Sequence, residues 1–387
     1  MTAPDAAIEV RVLERIADVS RSEWDACAGG DNPFLLHDFL DALEQSGSVS
    51  ADEGWLPRHL AAYDDAGRLA AAMPLYLKGH SQGEYVFDHS WAHAWERAGG
   101  RYYPKLLSAV PFTPVTGRRM LVRDADARPL YEAALAEAML KLVENSGVSS
   151  LHVNFLTAVE SERLAGFGFL QRSGQQYHWR NEGYSTFQDF LDALSSRKRK
   201  NIRKERQAVV DQGVVMRVLT GADLKTEHWD AFYRFYRNTT DRKWGWDYLK
   251  RPFFSLLHER MADRVALVMA EHDGEWVAGA LNLIGGDTLY GRNWGCTAQF
   301  KNLHFEACYY QAIDFAIERG LARVEAGAQG QHKIQRGYLP VETSSAHFIP
   351  DPSFRRAVAD FLEREREAVG EEIAFLADNL SPFRKSE

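Results

Sequence analysis

The chain has 387 residues, a formal net charge of −8, and 45% hydrophobic and 12% aromatic side chains. That is long for one domain and ample for two packed cores, which excludes a disordered or fibrous chain. No apolar run nears the roughly 18 residues that span a bilayer, the opening "MTAPDAAIEVRVLERI" does not read as a signal peptide, and Cys27, Cys296 and Cys308 form no disulfide framework, so the expectation is a cytoplasmic protein with no membrane insertion.

The first amphipathic stretch, "RSEWDACAGGDNPFLLHDFLDALEQ", predicts a helix broken at Gly29-Gly30 and Pro33. "AAYDDAGRLAAAMPLYLKG" (Ala61–Gly79) predicts a β-hairpin turning at Asp64–Gly67, because Asp and Gly tolerate positive φ. "GEYVFDHSWAHA" (Gly83–Ala94) predicts another strand that runs into aromatic and small residues. "YEAALAEAMLKLVENSGVSSLHVNF" (Tyr131–Phe155) predicts a helix stopped near Gly147 and then a strand, and "GFLQRSGQQYHW" (Gly168–Trp179) a final strand.

After Asn181-Glu182-Gly183 comes "STFQDFLDAL", followed by "SSRKRKNIRKERQ" (Ser195–Gln207), which packs seven Lys and Arg and one Glu into thirteen positions. Its +6 leaves −14 on the rest of the chain, since −8 minus +6 is −14. Then the series starts again. "DLKTEHWDAFYRFYRNTT" predicts a helix, "VMAEHDGEWVAGALNLIGG" (Val268–Gly286) a hairpin turning at Asp273-Gly274, and "GDTLYGRNWGC" (Gly286–Cys296) a strand. "HFEACYYQAIDFAIERGLARVEAGA" (His304–Ala328) predicts a helix stopped near Gly320 and a strand, and "GYLPVETSSAHF" (Gly337–Phe348) aligns without gaps on Gly168–Trp179. Four matches in one order indicate two copies of a single unit. The expected fold class is α/β with mixed sheets: an N-terminal copy over 1–182, a C-terminal copy with its basic helix over 183–352, and an added amphipathic helix in 353–387.

Helix, hairpin, strand, helix and strand in that order resemble the GNAT acyltransferase fold. Two tandem copies joined by the basic segment Phe190–Leu219 resemble the FemABX-type peptidyl and aminoacyl transferases. "YPKLLSAVPFTPVTGRR", "LHFEACYYQAIDFAIERGL" and "EAGAQGQHKIQRGYLPVET" resemble, more narrowly, a FemAB-like group of N-acyltransferases linked to peptidoglycan biosynthesis. The resemblance implies tandem GNAT-like domains and transfer of an activated acyl group to an amine acceptor, a small molecule or peptide, cell-wall-related or otherwise. It also implies aminoacyl-tRNA as donor. The Gln/Arg-x-x-Gly-x-Gly/Ala loop that cradles coenzyme A pyrophosphate is missing from "WGCTAQFKNLHF" (Trp294–Phe305), in agreement with that donor. Acyl-CoA bound without the loop is an alternative, and a non-catalytic binder of peptidoglycan fragments is another; no tightly bound cofactor is expected.

Aminolysis needs a base for the ammonium proton and donors for the oxyanion. "EAGAQGQHKIQRGY" offers Glu325 or His332 as base, Lys333 and Arg336 for negative charge, and Gln329 and Tyr338 as further binding groups, with His304 as a cleft residue. Asp88, Trp91 and Tyr103, with Arg242 and Trp244, are candidate walls of an acceptor groove or else ordinary packing. Arg197, Lys198, Arg199, Lys200 and Arg203 are candidate phosphate contacts for the donor; the bland reading is a solvated helix on an apolar stripe of Leu194, Ile202 and Val209. His304, Cys308 and Cys296 lack a fourth zinc ligand, so no metal is expected.

Overall fold

The computed structural model describes residues 8–243, 247–327 and 330–384. The chain divides into two compact units, Met1–Gly174 with Thr343–Val369, and Gln175–Glu342 with Gly370–Glu387. The expected consecutive blocks 1–182, 183–352 and 353–387 thus meet a division that falls inside elements: the strands Leu170–Arg180 and Leu339–Phe348, and the helix Pro352–Leu380.

In the first unit the broken helix forms as Arg21–Ala28, a 3₁₀ turn Pro33–Leu35 and His37–Gln45, with Gly29 at φ 74° ending the first piece. The Asp64–Gly67 turn joins His59–Tyr63 to Leu69–Met73, and Asp64 Oδ1 accepts from the Ala66 and Arg68 amides, which fixes the turn locally. These two strands lie between Glu9–Leu13 and Leu121–Val122 in an antiparallel sheet. The second set of strands runs Trp55–Pro57, Tyr76–Lys78, Lys105–Ser108, Leu151–Leu156 and then the 343–348 part of Leu339–Phe348. Lys105–Ser108 and Leu151–Leu156 are parallel, and the helix Arg128–Ser146 makes the crossover between them. Leu135, Ala136, Met139 and Val143 of that helix pack on Leu151 and Val153.

One expectation fails here. Gly83–Ala94 forms no strand: Tyr85 sits at φ 60°, and His89–Arg97 is a helix. Its alternating apolar residues suit a strand, but Glu84 and Asp88 turn inward to Lys105, a partner the local pattern does not reveal. The crossover strand is Lys105–Ser108 instead.

In the second unit an antiparallel run, Val215–Thr220, Val265–His272, Glu275–Ile284 and Thr288–Cys296, leads to Arg323–Glu325, which is parallel to Thr288–Cys296. Asp273 (φ 52°) and Gly274 (φ 80°) make the hairpin turn. His178–Arg180 of the strand Leu170–Arg180 pairs antiparallel with Arg323–Glu325. The crossover between the parallel pair is Leu303–Phe305, a π-helical turn Glu306–Tyr310, and the α-helix Gln311–Glu318. Its buried face, Ala312, Ile313, Phe315 and Ala316, packs among Trp179, Leu289, Val324 and Tyr338. Each unit therefore contains a hairpin and a parallel pair bridged by a helix.

The basic stretch forms the helix Ser196–Val210, with Ile202 and Val209 buried. Among the described residues no helix is long and apolar enough to cross a membrane.

Candidate functional site

The second unit contains a half-open cavity of about 450 Å³. Three devices of the local fold open it. The register between Glu275–Ile284 and Thr288–Cys296 shifts at Leu281/Asn282, where Leu281 faces Asn293 and Asn282 faces Gly291. Arg292 is the extra residue, and such a bulge bends the strand and re-aims its side chains; Gly291, Arg292, Asn293 and Trp294 all line the wall. The π turn shifts the face of the crossover helix, a distortion common at functional sites, and presents Cys308 and Tyr309 below His304. The 3₁₀ segment Gln331–Arg336, starting from Gly330 at φ 104°, brings His332 against Tyr309 and Lys333 next to Ala326.

His332 Nε2 lies 2.9 Å from the Tyr309 hydroxyl. Burial, then Arg336 and Lys333, hold the His332 imidazole below its ordinary pKa, so it is neutral at pH 7. Burial and Cys308 raise the Tyr309 phenol, which stays protonated. His304 packs edge-on against Trp294 and Tyr309, and its ring centroid is 6.2 Å from that of His332. Lys333 is buried, and its Nζ donates to the Ala326 carbonyl at 2.5 Å and the Gly327 carbonyl at 3.2 Å. Burial pushes its amine down to about 8, with Cys308 opposing and Arg292 assisting. Glu325 sits behind the wall, 2% exposed, with Oε2 3.9 Å from Arg292 Nη2. The arrangement supplies a neutral imidazole, a buried ammonium and a phenol around one space, the groups that proton removal and oxyanion stabilisation require.

Residues 15–385 match the FemAB_like family, described by peptidoglycan biosynthesis/recognition. The chain belongs to the FemAB_like family. Among solved structures it is similar to FemX, at 12% identity and TM-score 0.54 over 88% of this chain and 98% of that one. It is also similar to L-PGS from Bacillus licheniformis, at 11% identity and TM-score 0.52 over 86% and 98%. A third is the DUF2156 domain of a putative lysylphosphatidylglycerol synthetase from Agrobacterium fabrum, at 9% identity and TM-score 0.51 over 89% and 95%. No curated protein matches the chain. At these identities the likeness is one of fold, the tandem GNAT-like fold that the resemblance implies.

In this FemAB_like chain the structure brings His304, His332 and Lys333 together at one cavity. Arg336 stands behind them, with Nη2 2.8 Å from Glu205 Oε1, Nη1 donating to the His332 carbonyl, and its guanidinium 3.4 Å over the Phe305 ring. Tyr338 is not a wall residue: it is fully buried, and its hydroxyl donates to the Tyr309 carbonyl, which braces the π turn. Gln329, Trp244 and the side chain of Arg242 lie outside the described residues.

Asp88, Trp91 and Tyr103 belong to the first unit and form no open groove. Asp88 is 2% exposed; it accepts from the Tyr102 hydroxyl at 2.7 Å and pairs with Lys105. Trp91 is 4% exposed, stacked on His152, with the Arg172 guanidinium 5.0 Å above it. The Tyr103 hydroxyl meets Ser81 Oγ at 2.8 Å. A buried polar core, not a ligand wall, explains this aromatic–polar cluster.

Of the basic stretch, Arg197, Lys200 and Arg203 are exposed. Arg199 pairs with Asp192, and Arg203 donates to Gln188. Burial, Arg197 and Arg336 lower the Lys198 amine. The inward residues of this helix went unrecognised in the sequence. Arg206 pairs with Glu306 at 3.0 Å and Asp314 at 2.7 Å, and Glu205, the stretch's one acid, accepts from both Arg336 and the Tyr310 hydroxyl. Their position one turn past Ile202, on the side that packs inward, was the available signal. Arg292, Asn282 and Trp294 carried no comparable signal, because a bulge is a property of strand register.

Proposed function

We propose that this cavity is the site of an N-acyl or aminoacyl transfer, from a carrier to an amine of a cell-wall-related or small acceptor. The observation that carries the reading is the convergence of His332, Tyr309 and Lys333 on one space in a FemAB_like chain. The acceptor nitrogen attacks the carbonyl carbon of the ester or thioester. A C–N bond forms, the ammonium proton passes to neutral His332, and the C–O or C–S bond to the carrier breaks as the leaving oxygen or sulfur takes that proton back from His332. Lys333 presents its positive charge to the substrate, and orientation in the cavity supplies much of the rate because the acyl group is already activated. Glu325 holds Arg292 in place instead of acting as base, since it lies behind the wall. Arg197, Lys198, Arg199, Lys200 and Arg203 meet the phosphates of the donor; a cluster of like charge at the start of a helix favours an anionic partner.

The test compares metabolite profiles of cells with and without the gene for one acyl-sized mass difference, then assays that acceptor with charged tRNA and with acyl-CoA. Transfer by wild type and its loss in His332→Ala and Lys333→Met support the reading. Wild-type cellular function in both variants identifies a binding protein and overturns it.

A further inference from the structure

We infer that the cavity holds its substrate by a carboxylate seated on Lys333, so that the acyl chain or the amine acceptor carries a free carboxylate at the end that enters. The inference rests on the acyl-transfer reading above and narrows its substrate class. The described lining contributes Arg292, Lys333, His304 and His332, and no carboxylate. Arg292 has Glu325 3.9 Å behind it, so that pair is close to neutral. Lys333 has no such counter-charge among the described residues: its ammonium donates only to two carbonyl oxygens. An ammonium has three N–H donors, and two are used, while the Tyr177 ring lies 5.7 Å away, too far to accept the third. The third is left for the cavity that Lys333 lines.

A buried neighbour reports the same field. His178 pairs in register with Glu325, and burial followed by Arg323, Arg292, Arg180 and Lys333 pushes its imidazole down to about 3. Cations dominate this end of the sheet. One uncompensated ammonium matches one carboxylate; a phosphate dianion exceeds it, and a substrate ammonium seated there would be repelled. A carboxylate would also favour the charged lysine, so binding draws in a proton near and above pH 8. Affinity therefore falls as pH rises through about 8, where the empty-site amine titrates.

The test titrates the purified full chain with glutarate and glycylglycine, mimics of a carboxylate-bearing acyl chain and amine, against glutaramide and glycylglycinamide, with inorganic phosphate as a further probe. At least one acid should bind roughly tenfold or more tighter than its amide, and the pair that shows the preference names the source of the carboxylate. Affinity should drop by up to about tenfold per pH unit above pH 8. Lys333→Met should erase the preference, and Lys333→Arg should keep binding while losing the pH dependence. The inference is overturned if neither acid binds, if the amides or phosphate bind as well as the acids, or if Lys333→Met behaves as wild type. Should Lys333→Met fail to fold, the acid–amide comparison on wild type and the pH profile of Lys333→Arg decide alone. Full-rate transfer between a donor and an amine that both lack carboxylates removes this inference and keeps the transferase. Acid-selective binding with no transfer from either carrier does the reverse.

Discussion

Each unit buries a lysine beside its crossover strands, and the two lysines live under opposite conditions. Lys105 is fully buried and its ammonium is saturated: Ser81 Oγ and Glu84 Oε2 accept at 2.8 Å, and Asp88 accepts as well. Burial alone would lower its pKa, but Glu84 and Asp88 raise it. Around it, His152 and His347 share a 2.6 Å contact between Nδ1 atoms, so one ring donates and the other accepts. Lys333 is nearly as buried, yet among the described residues it meets two carbonyls, the Tyr177 ring and a cavity, and its amine drops to about 8. Carboxylates enclose the ammonium of Lys105, whereas none is bonded to that of Lys333 among the described residues. Between the two carboxylates on Lys105 the charge divides unequally. Burial pushes Glu84 up to about 7, whereas Lys105 and His152 outweigh the burial of Asp88 and hold it well below the carboxylate range.

Activity should break along this line first. His332→Ala is expected to lower kcat/KM by about 10²–10⁴-fold with the melting temperature almost unchanged, as for loss of a general base; an equal loss from a first-unit variant that stays folded would erase the contrast. Stability should break along it the other way. Lys105→Met leaves two carboxylates buried without their cation and is expected to cost about 3–5 kcal/mol in chemical denaturation. Lys333→Met strands no charge and should cost no more than about 1–2 kcal/mol. Equal losses would mean that Lys333 is structural too.

A third measurement sharpens the electrostatic side. Because the folded state raises Glu84 from 4.5 to about 7, it binds a proton there that the unfolded chain has released. The stability this group contributes is full below pH 4.5 and fades as pH rises to 7. Glu84→Gln should flatten that part of the stability curve by roughly 1–3 kcal/mol, read from denaturation midpoints at pH 5 and pH 7. The smallest effect belongs to the surface of the second unit. Arg197→Ala with Lys200→Ala should change stability by less than about 0.5 kcal/mol, yet reduce the salt slope of tRNA binding by about one to two. An unchanged slope would return this helix to a solvated face.

The elements were legible because their signals are local. Gly147 at φ 61° and Gly320 at φ 65° end the two crossover helices where the pattern stops, and the hairpins turn at Asp64–Gly67 and Asp273-Gly274. Of the site, His332, Lys333 and His304 could be read because they share short polar strings near strand and helix ends. Gly83–Ala94 was misread because its geometry answers to Lys105, well beyond any local window. Asp88 and Trp91 carry the residue types of a binding wall, and only burial reveals that they hold a core together.

By itself, then, the sequence determined most of the order of elements and the duplication, since periodicity and turn chemistry depend on neighbours a few residues away. Tertiary structure decided which polar groups would be sealed and which left open. The bulge at Arg292, the π turn under Tyr309 and the inward reach of Glu205 and Arg206 arise from register and packing between distant segments. A charge takes its chemical meaning from what surrounds it once water is gone.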